Sequence, residues 1–143
     1  MESKQVRNRR ILKQLFSEVI NTGKLERAGE FITIDRHDHE PNIPEEMRKG
    51  LKGFQMAIGW FRSVSSNFIV STEFMIAEGD MVMAYNRFAG THDGHFMEHP
   101  PSHRKFDIQS FDVCRFNEDG LIAEHWGGYD LAGFLKQLQL MPS

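Results

Sequence analysis

Val6, Ile11, Leu12, Leu15, Phe16, Val19 and Ile20 recur at steps of three and four residues, with charged and amide side chains between them. That period predicts an amphipathic helix packed on one side only. Asn21-Thr22-Gly23 ends it, and Gly23 suits a left-handed C-cap. A short helical piece from Lys24 to about Phe31 follows. Residues 35–41, Asp-Arg-His-Asp-His-Glu-Pro, are dense in polar groups, and Pro41 and Pro44 exclude regular helix there. Gly50 to Val64 returns to the helical period, with Leu51, Phe54, Ile58 and Phe61 on one face.

The period then changes to two. Phe68, Val70, Thr72, Phe74 and Ile76 alternate with Ile69, Ser71, Glu73, Met75 and Ala77, which predicts a long strand with one apolar face. Glu78-Gly79-Asp80 forms a tight turn, and Met81 to Gly90 returns as a second strand. Thr91 to Arg104 is a long connection carrying His92, His95, His99 and His103. Lys105 to Phe116 is a third strand. Asn117 to Gly120 turns the chain into a fourth, Leu121 to Trp126. Leu131, Phe134, Leu135 and Leu138 make a closing amphipathic helix. Helices, then an antiparallel meander, then a helix predict an α+β fold. Long strands with one apolar face, covered by amphipathic helices, suggest a curved sheet with a cavity on its concave side, where small-molecule sites form.

A chain of 143 residues fits one domain, 1–143, large enough to bury a core without staples. The formal net charge of -3 leaves no basic footprint for nucleic acid, and no apolar run approaches membrane-spanning length. No nucleic acid or membrane partner is expected. Cys114 is the one cysteine, so no disulfide can form within the chain, and the cytoplasm is the expected compartment.

Candidate chemistry sits in the C-terminal half. Asp112 stands in the row Phe106, Ile108, Ser110, Asp112, Cys114, Phe116, where an ionised carboxylate must be paired, solvated or shifted in pKa. It reads either as a site residue or as a structural partner of Arg115 or Arg87. Glu124 lies between Ile122 and Trp126 on one face of the fourth strand, an unusual place for an acid. Asp130 follows Gly127-Gly128-Tyr129. It reads as an N-cap of the last helix or as a catalytic carboxylate. His37-Asp38-His39 resembles a metal pair, but no Cys cluster or HExxH spacing accompanies it, so no metal and no cofactor are expected. His39 and His92 are instead expected to be hydrogen-bonding groups of the cavity.

Several segments resemble a known family. Phe88-Ala89-Gly90-Thr91-His92-Asp93-Gly94-His95-Phe96 with Pro100-Pro101, the run from Arg115 to Asp130, Leu135-Lys136-Gln137-Leu138, Asp38-His39-Glu40-Pro41, and Glu78-Gly79-Asp80 with Met81-Val82 are similar, in order, to elements of the SnoaL-like polyketide cyclases of the NTF2-like superfamily. The chain departs from the family pattern at Ser102-His103-Arg104, around Glu98-His99 and at Ser65-Ser66-Asn67. The resemblance implies a cone-shaped, curved, largely antiparallel (mixed) sheet wrapped over N-terminal helices, and a homodimer or homotetramer formed through the sheet. It also implies a cofactor-independent lyase or isomerase that closes a ring by intramolecular aldol or related proton-transfer chemistry. Asp130 is then the general acid/base, with Glu124, His39 and His92 as further catalytic candidates. Asp112, Trp126, Tyr129, Phe16, Trp60 and Phe88 are expected to bind a small apolar carbonyl-bearing substrate. The alternative is a non-catalytic protein that binds an apolar ligand in the same pocket.

Overall fold

The structure, a computed structural model, describes residues 1–141. Helix α1 (Lys4–Leu15) starts where the Ser3 hydroxyl accepts the Val6 N–H, and it runs on into one π-helical turn, Phe16–Ile20. Leu12, Leu15, Phe16, Val19 and Ile20 are all buried, each contributing about 1.5–3 kcal/mol by leaving water. Gly23 takes φ +77, the left-handed cap that its lack of a Cβ permits. A 3-10 turn (Leu25–Glu30) leads to β1 (Ile32–Asp38), a second 3-10 turn (Glu45–Arg48) leads to α2 (Gly50–Val64), and β2 (Ile69–Glu78), β3 (Met81–Thr91), β4 (Lys105–Phe116), β5 (Ile122–Tyr129) and α3 (Leu131–Gln137) follow.

The five strands form one sheet in the order β1-β5-β4-β3-β2. The meander from β2 to β5 is antiparallel, and β1 lies parallel to β5 at the edge. The sheet is mixed for that reason. Helices α1 and α2 pack on its inner face and share one apolar core with it. No described helix is long and apolar enough to cross a membrane.

Three features depart from the sequence pattern. The polar run after Phe31 includes a strand, β1, rather than only irregular chain. Its hydropathy is inverted: Ile34 is exposed while Arg36 and Asp38 are buried. In β2, a register shift between Thr72 and Phe74 splits the single apolar face, so Val70 is buried but Phe74 and Ile76 point outward. In β5, Arg115 pairs with Glu124 but Phe116 pairs with Ile122, so one extra residue is accommodated. Such a bulge changes which side chains share a face. It allows Ile122 and His125, three residues apart, both to line the interior. β5 also continues past Trp126 to Tyr129.

Candidate functional site

A cavity of about 80 Å³ lies between α1, α2 and the inner face of the sheet. Phe16, Phe54, Phe61, Phe68 and Phe88 give it an aromatic wall. The opposite wall is charged. It is built from Arg36 and Asp38 of β1, Glu40 just beyond, Asp112 of β4, and His125 and Tyr129 of β5.

His125 sits at the centre of this wall. Its Nδ1 lies 2.9 Å from Asp38 Oδ1 and its Nε2 2.7 Å from Asp112 Oδ1. Burial alone would lower its pKa, but the hydrogen bonds to Asp112 and Asp38 outweigh burial and carry it up to about 10. His125 is therefore an imidazolium at neutral pH, donating from both nitrogens. Arg36 Nη1 donates to Asp38 Oδ2 at 2.9 Å, and its other nitrogens reach the carbonyls of Gly50 and Met47. Burial works to raise the Asp38 carboxyl. The hydrogen bond and charge of His125, the Glu40 N–H and Arg36 overrule it and hold Asp38 below the usual range. On the far side, Asn86 Nδ2 donates to Asp112 Oδ2 at 2.8 Å, and Thr72 bonds Asn86 Oδ1 at 2.8 Å. A continuous chain of polar side chains, Arg36, Asp38, His125, Asp112, Asn86 and Thr72, thus crosses all five strands. Two cations and two carboxylates balance within it.

Glu40 is left over. It is 9% exposed and lines the cavity, and its carboxyl has no side-chain hydrogen bond among the described residues. Burial raises its pKa to about 7; the positive charges of His125 and Arg36 oppose the shift, and the Asp112 and Asp38 charges add to it. Tyr129 lines the same cavity, where burial first and the Glu40 charge second raise its phenol. Cys114 is buried in the wall, and desolvation pushes its thiol well up, away from nucleophilic use. Asp38, Glu40 and His125 present ligand atoms within 4.8 Å of one another. A metal there would require His125 to lose its proton and its carboxylate bonds, with Arg36 already on Asp38, so the donor set fits a cation poorly.

Asp112, Tyr129, Phe16 and Phe88 line this cavity, and Trp60 lines an adjoining aromatic space. Five other residues lie elsewhere. Asp130 is exposed, and its Oδ1 accepts the Gly133 N–H at 2.8 Å, so its carboxylate caps α3 instead of reaching into the cavity. Glu124 and Trp126 fall on the outer face of β5, because strand side chains alternate with His125. Glu124 bonds His39 Nε2 at 2.8 Å and the Arg115 guanidinium, and these hold its pKa below the ordinary value. His39 stacks on Trp126 with ring centres 4.6 Å apart. His92 is fully buried in the connection after β3, bonded through Nδ1 to Ser102 and away from the cavity, and burial lowers its pKa.

Arg36, Glu40 and His125 carry the charged wall without having been singled out as site residues from the sequence; Asp38 entered only through a weak metal motif and, with Glu40, as part of the family-like segment Asp38-His39-Glu40-Pro41. A signal was present: Arg36, Asp38 and Glu40 stand at period two, a strand written in charged residues.

The geometry belongs with known relatives. A family model described as SnoaL-like polyketide cyclase matches residues 10–138. Nogalonic acid methyl ester cyclase from Streptomyces nogalater is 31% identical over 119 residues, 82% of this chain and 87% of that protein. TsrD from Streptomyces laurentii superposes with a TM-score of 0.83 at 24% identity, covering 98% of this chain and 100% of that one. IdmH from Streptomyces antibioticus does so with a TM-score of 0.81 at 26% identity, covering 92% and 98%. With nine-tenths of its length matched and the same helices wrapped by the same NTF2-like sheet, the chain belongs to the SnoaL-like polyketide cyclase family.

Proposed function

We propose that the protein is a cofactor-independent cyclase that closes a ring within a carbonyl-bearing small molecule, and that Glu40 is its general acid/base. The observation that carries this reading is a lone carboxyl, nine-tenths buried, unpaired among the described residues and facing an aromatic cavity. A carboxyl with a pKa of about 7 holds comparable populations of acid and base at neutral pH, the condition in which one group serves both roles.

The ionised Glu40 takes a proton from the carbon next to a carbonyl. The electron pair moves to the carbonyl oxygen, and the Tyr129 hydroxyl, with the fixed positive field of His125 behind it, stabilises the enolate. The enolate carbon then attacks a second carbonyl of the same molecule. A carbon–carbon bond forms, and Glu40 returns its proton to the new alkoxide. No group is oxidised or reduced, and the enzyme ends as it began. Asp38, Asp112, Arg36 and His125 form the fixed electrostatic frame, since every nitrogen of the two cations already makes a hydrogen bond.

Nogalonic acid methyl ester, the compound named for the Streptomyces nogalater relative, is the first substrate to test. Glu40→Gln keeps the side-chain volume and removes the proton carrier. Ring closure is expected to fall by about 10²–10⁴-fold while the circular dichroism spectrum stays unchanged. A variant that turns over at the full rate sinks the assignment.

A further inference from the structure

A second chamber of about 180 Å³ adjoins the cavity. Ile43, Ala57, Phe61 and Tyr129 line both spaces, so they form a shared wall. The two spaces differ in chemistry. The inner one faces Glu40 and the charged chain. The outer one is bounded by Trp60, Phe96, Met97 and Leu131 and, among the described residues and apart from Tyr129 at the shared wall, has no titratable group in its lining. Asn42 is its one amide.

We propose that the outer chamber is a tail subsite: the protein takes an amphiphile whose carbonyl head sits against Glu40 and whose aliphatic tail passes Phe61 and Tyr129 to lie on Trp60, Phe96 and Met97. The proposal rests on the inner cavity being the head site. An apolar chamber that offers a ligand almost no hydrogen bonds selects for hydrocarbon, because a buried polar group left unpaired there is penalised. Met97 has the form of a specificity residue. It is 75% exposed at the tip of the connection after β3, where Phe96 and His99 bridge across it, and it sits at φ +51. That backbone region is uncommon for a side chain of this kind. The bridge thus holds a flexible thioether against the rim of the chamber, and thioethers adapt to ligands of varied shape.

Binding of the 2-alkanones from 2-pentanone to 2-nonanone to the whole protein, followed by NMR titration, tests this. The dissociation constant is expected to fall roughly fourfold per added methylene, the value of moving one CH₂ out of water, and to level off once the outer chamber is full. Met97→Asp is the matching variant. Aspartate tolerates positive φ, and the loop tip is exposed, so the fold is kept. It is expected to weaken 2-nonanone by at least about tenfold, since a carboxylate now faces the tail, and to leave 2-pentanone unchanged. A constant that does not change with chain length overturns the proposal, as does a Met97→Asp variant that weakens every ketone equally. Glu40→Gln separates this from the cyclase reading. If it abolishes turnover while affinity is flat along the series, the acid/base role stands and the tail subsite falls. If chain length governs affinity while Glu40→Gln has no effect on turnover, the reverse holds.

Discussion

At the scale of single residues, Glu40 and His125 set opposite expectations for rate and for stability. In the proposed mechanism the base form of Glu40 starts the reaction, so kcat/KM should rise with pH through about 7, the value to which burial brings its carboxyl. Stability runs the other way. Glu40 binds its proton more tightly in the folded state than at the ordinary 4.5, so its contribution is complete below that value and is lost as pH rises to about 7. His125 behaves alike from 6.5 to about 10. Asp38, held below its ordinary 3.8, loses its contribution only as pH falls through the acid range. Melting temperature should therefore be highest on the acid side of neutrality and decline steadily to pH 10. His125→Asn should make the decline above pH 6.5 shallower. A protein most stable at pH 9 would contradict the buried imidazolium. Asp38→Asn leaves His125 and Arg36 short of charge in the interior. By the usual penalty for breaking a buried pair, it should cost about 3–5 kcal/mol in urea unfolding. Gly127 belongs to the same arrangement. A Cβ there would stand 2.7 Å from His125 Cε1, so Gly127→Ala should push the ring off Asp112 and lower activity without touching a proton-transfer group.

At the scale of elements, the bulge in β5 and the cap of α3 decide which acids face the cavity and which hold the chain. Without the extra residue in β5, Ile122 and His125 would fall on opposite faces, and the imidazolium would leave the cavity. That is why the sequence made Glu124 and Trp126 look like site residues: strict alternation from Ile122 places them inside, and nothing in the residue types announces the shift. Asp130 poses the opposite case. An aspartate before an apolar helical run is equally consistent with a cap and with a catalyst, and the structure shows the cap, with the Gly133 N–H 2.8 Å from an exposed carboxylate. Asp130→Ala should lower stability by about 1 kcal/mol, the usual value of an N-cap. The rate of ring closure should be unchanged, a comparison that a single assay on Asp130→Ala and Glu40→Gln settles. The long regular elements were legible because their periods are clean. α2 and β4 have the bounds their patterns predict, and the row from Phe106 to Phe116 delivers Asp112 to the cavity wall. β1 was not legible, because a strand whose inner face meets a charged wall buries Arg36 and Asp38 and exposes Ile34.

At the scale of the whole molecule, the sheet has two faces with different tasks. The inner one meets the helices and the cavity. The outer one has no described helix over it, yet it carries aligned apolar rows. Phe74 pairs with Tyr85, Tyr85 with Phe111 and Phe111 with Gly128, while Ile76, Met83, Val113 and Trp126 form the adjacent row. Phe74, Ile76 and Phe111 are each about half exposed. Gly128 leaves Phe111 room to lie flat, since a Cβ there would meet its ring at 3.0 Å. A contiguous apolar face of this kind is the pattern expected of an association site. A twofold pairing of the sheet with itself would bring the same rows together from both copies. Sedimentation at micromolar concentration should therefore give twice the chain mass. Phe111→Glu should give the single chain with an unchanged melting transition at low concentration, because that side chain is already half in water. A wild-type protein that sediments as a single chain at every concentration would leave the outer face unexplained by self-association. It would also leave the cavity, which no outer-face residue enters, unaffected.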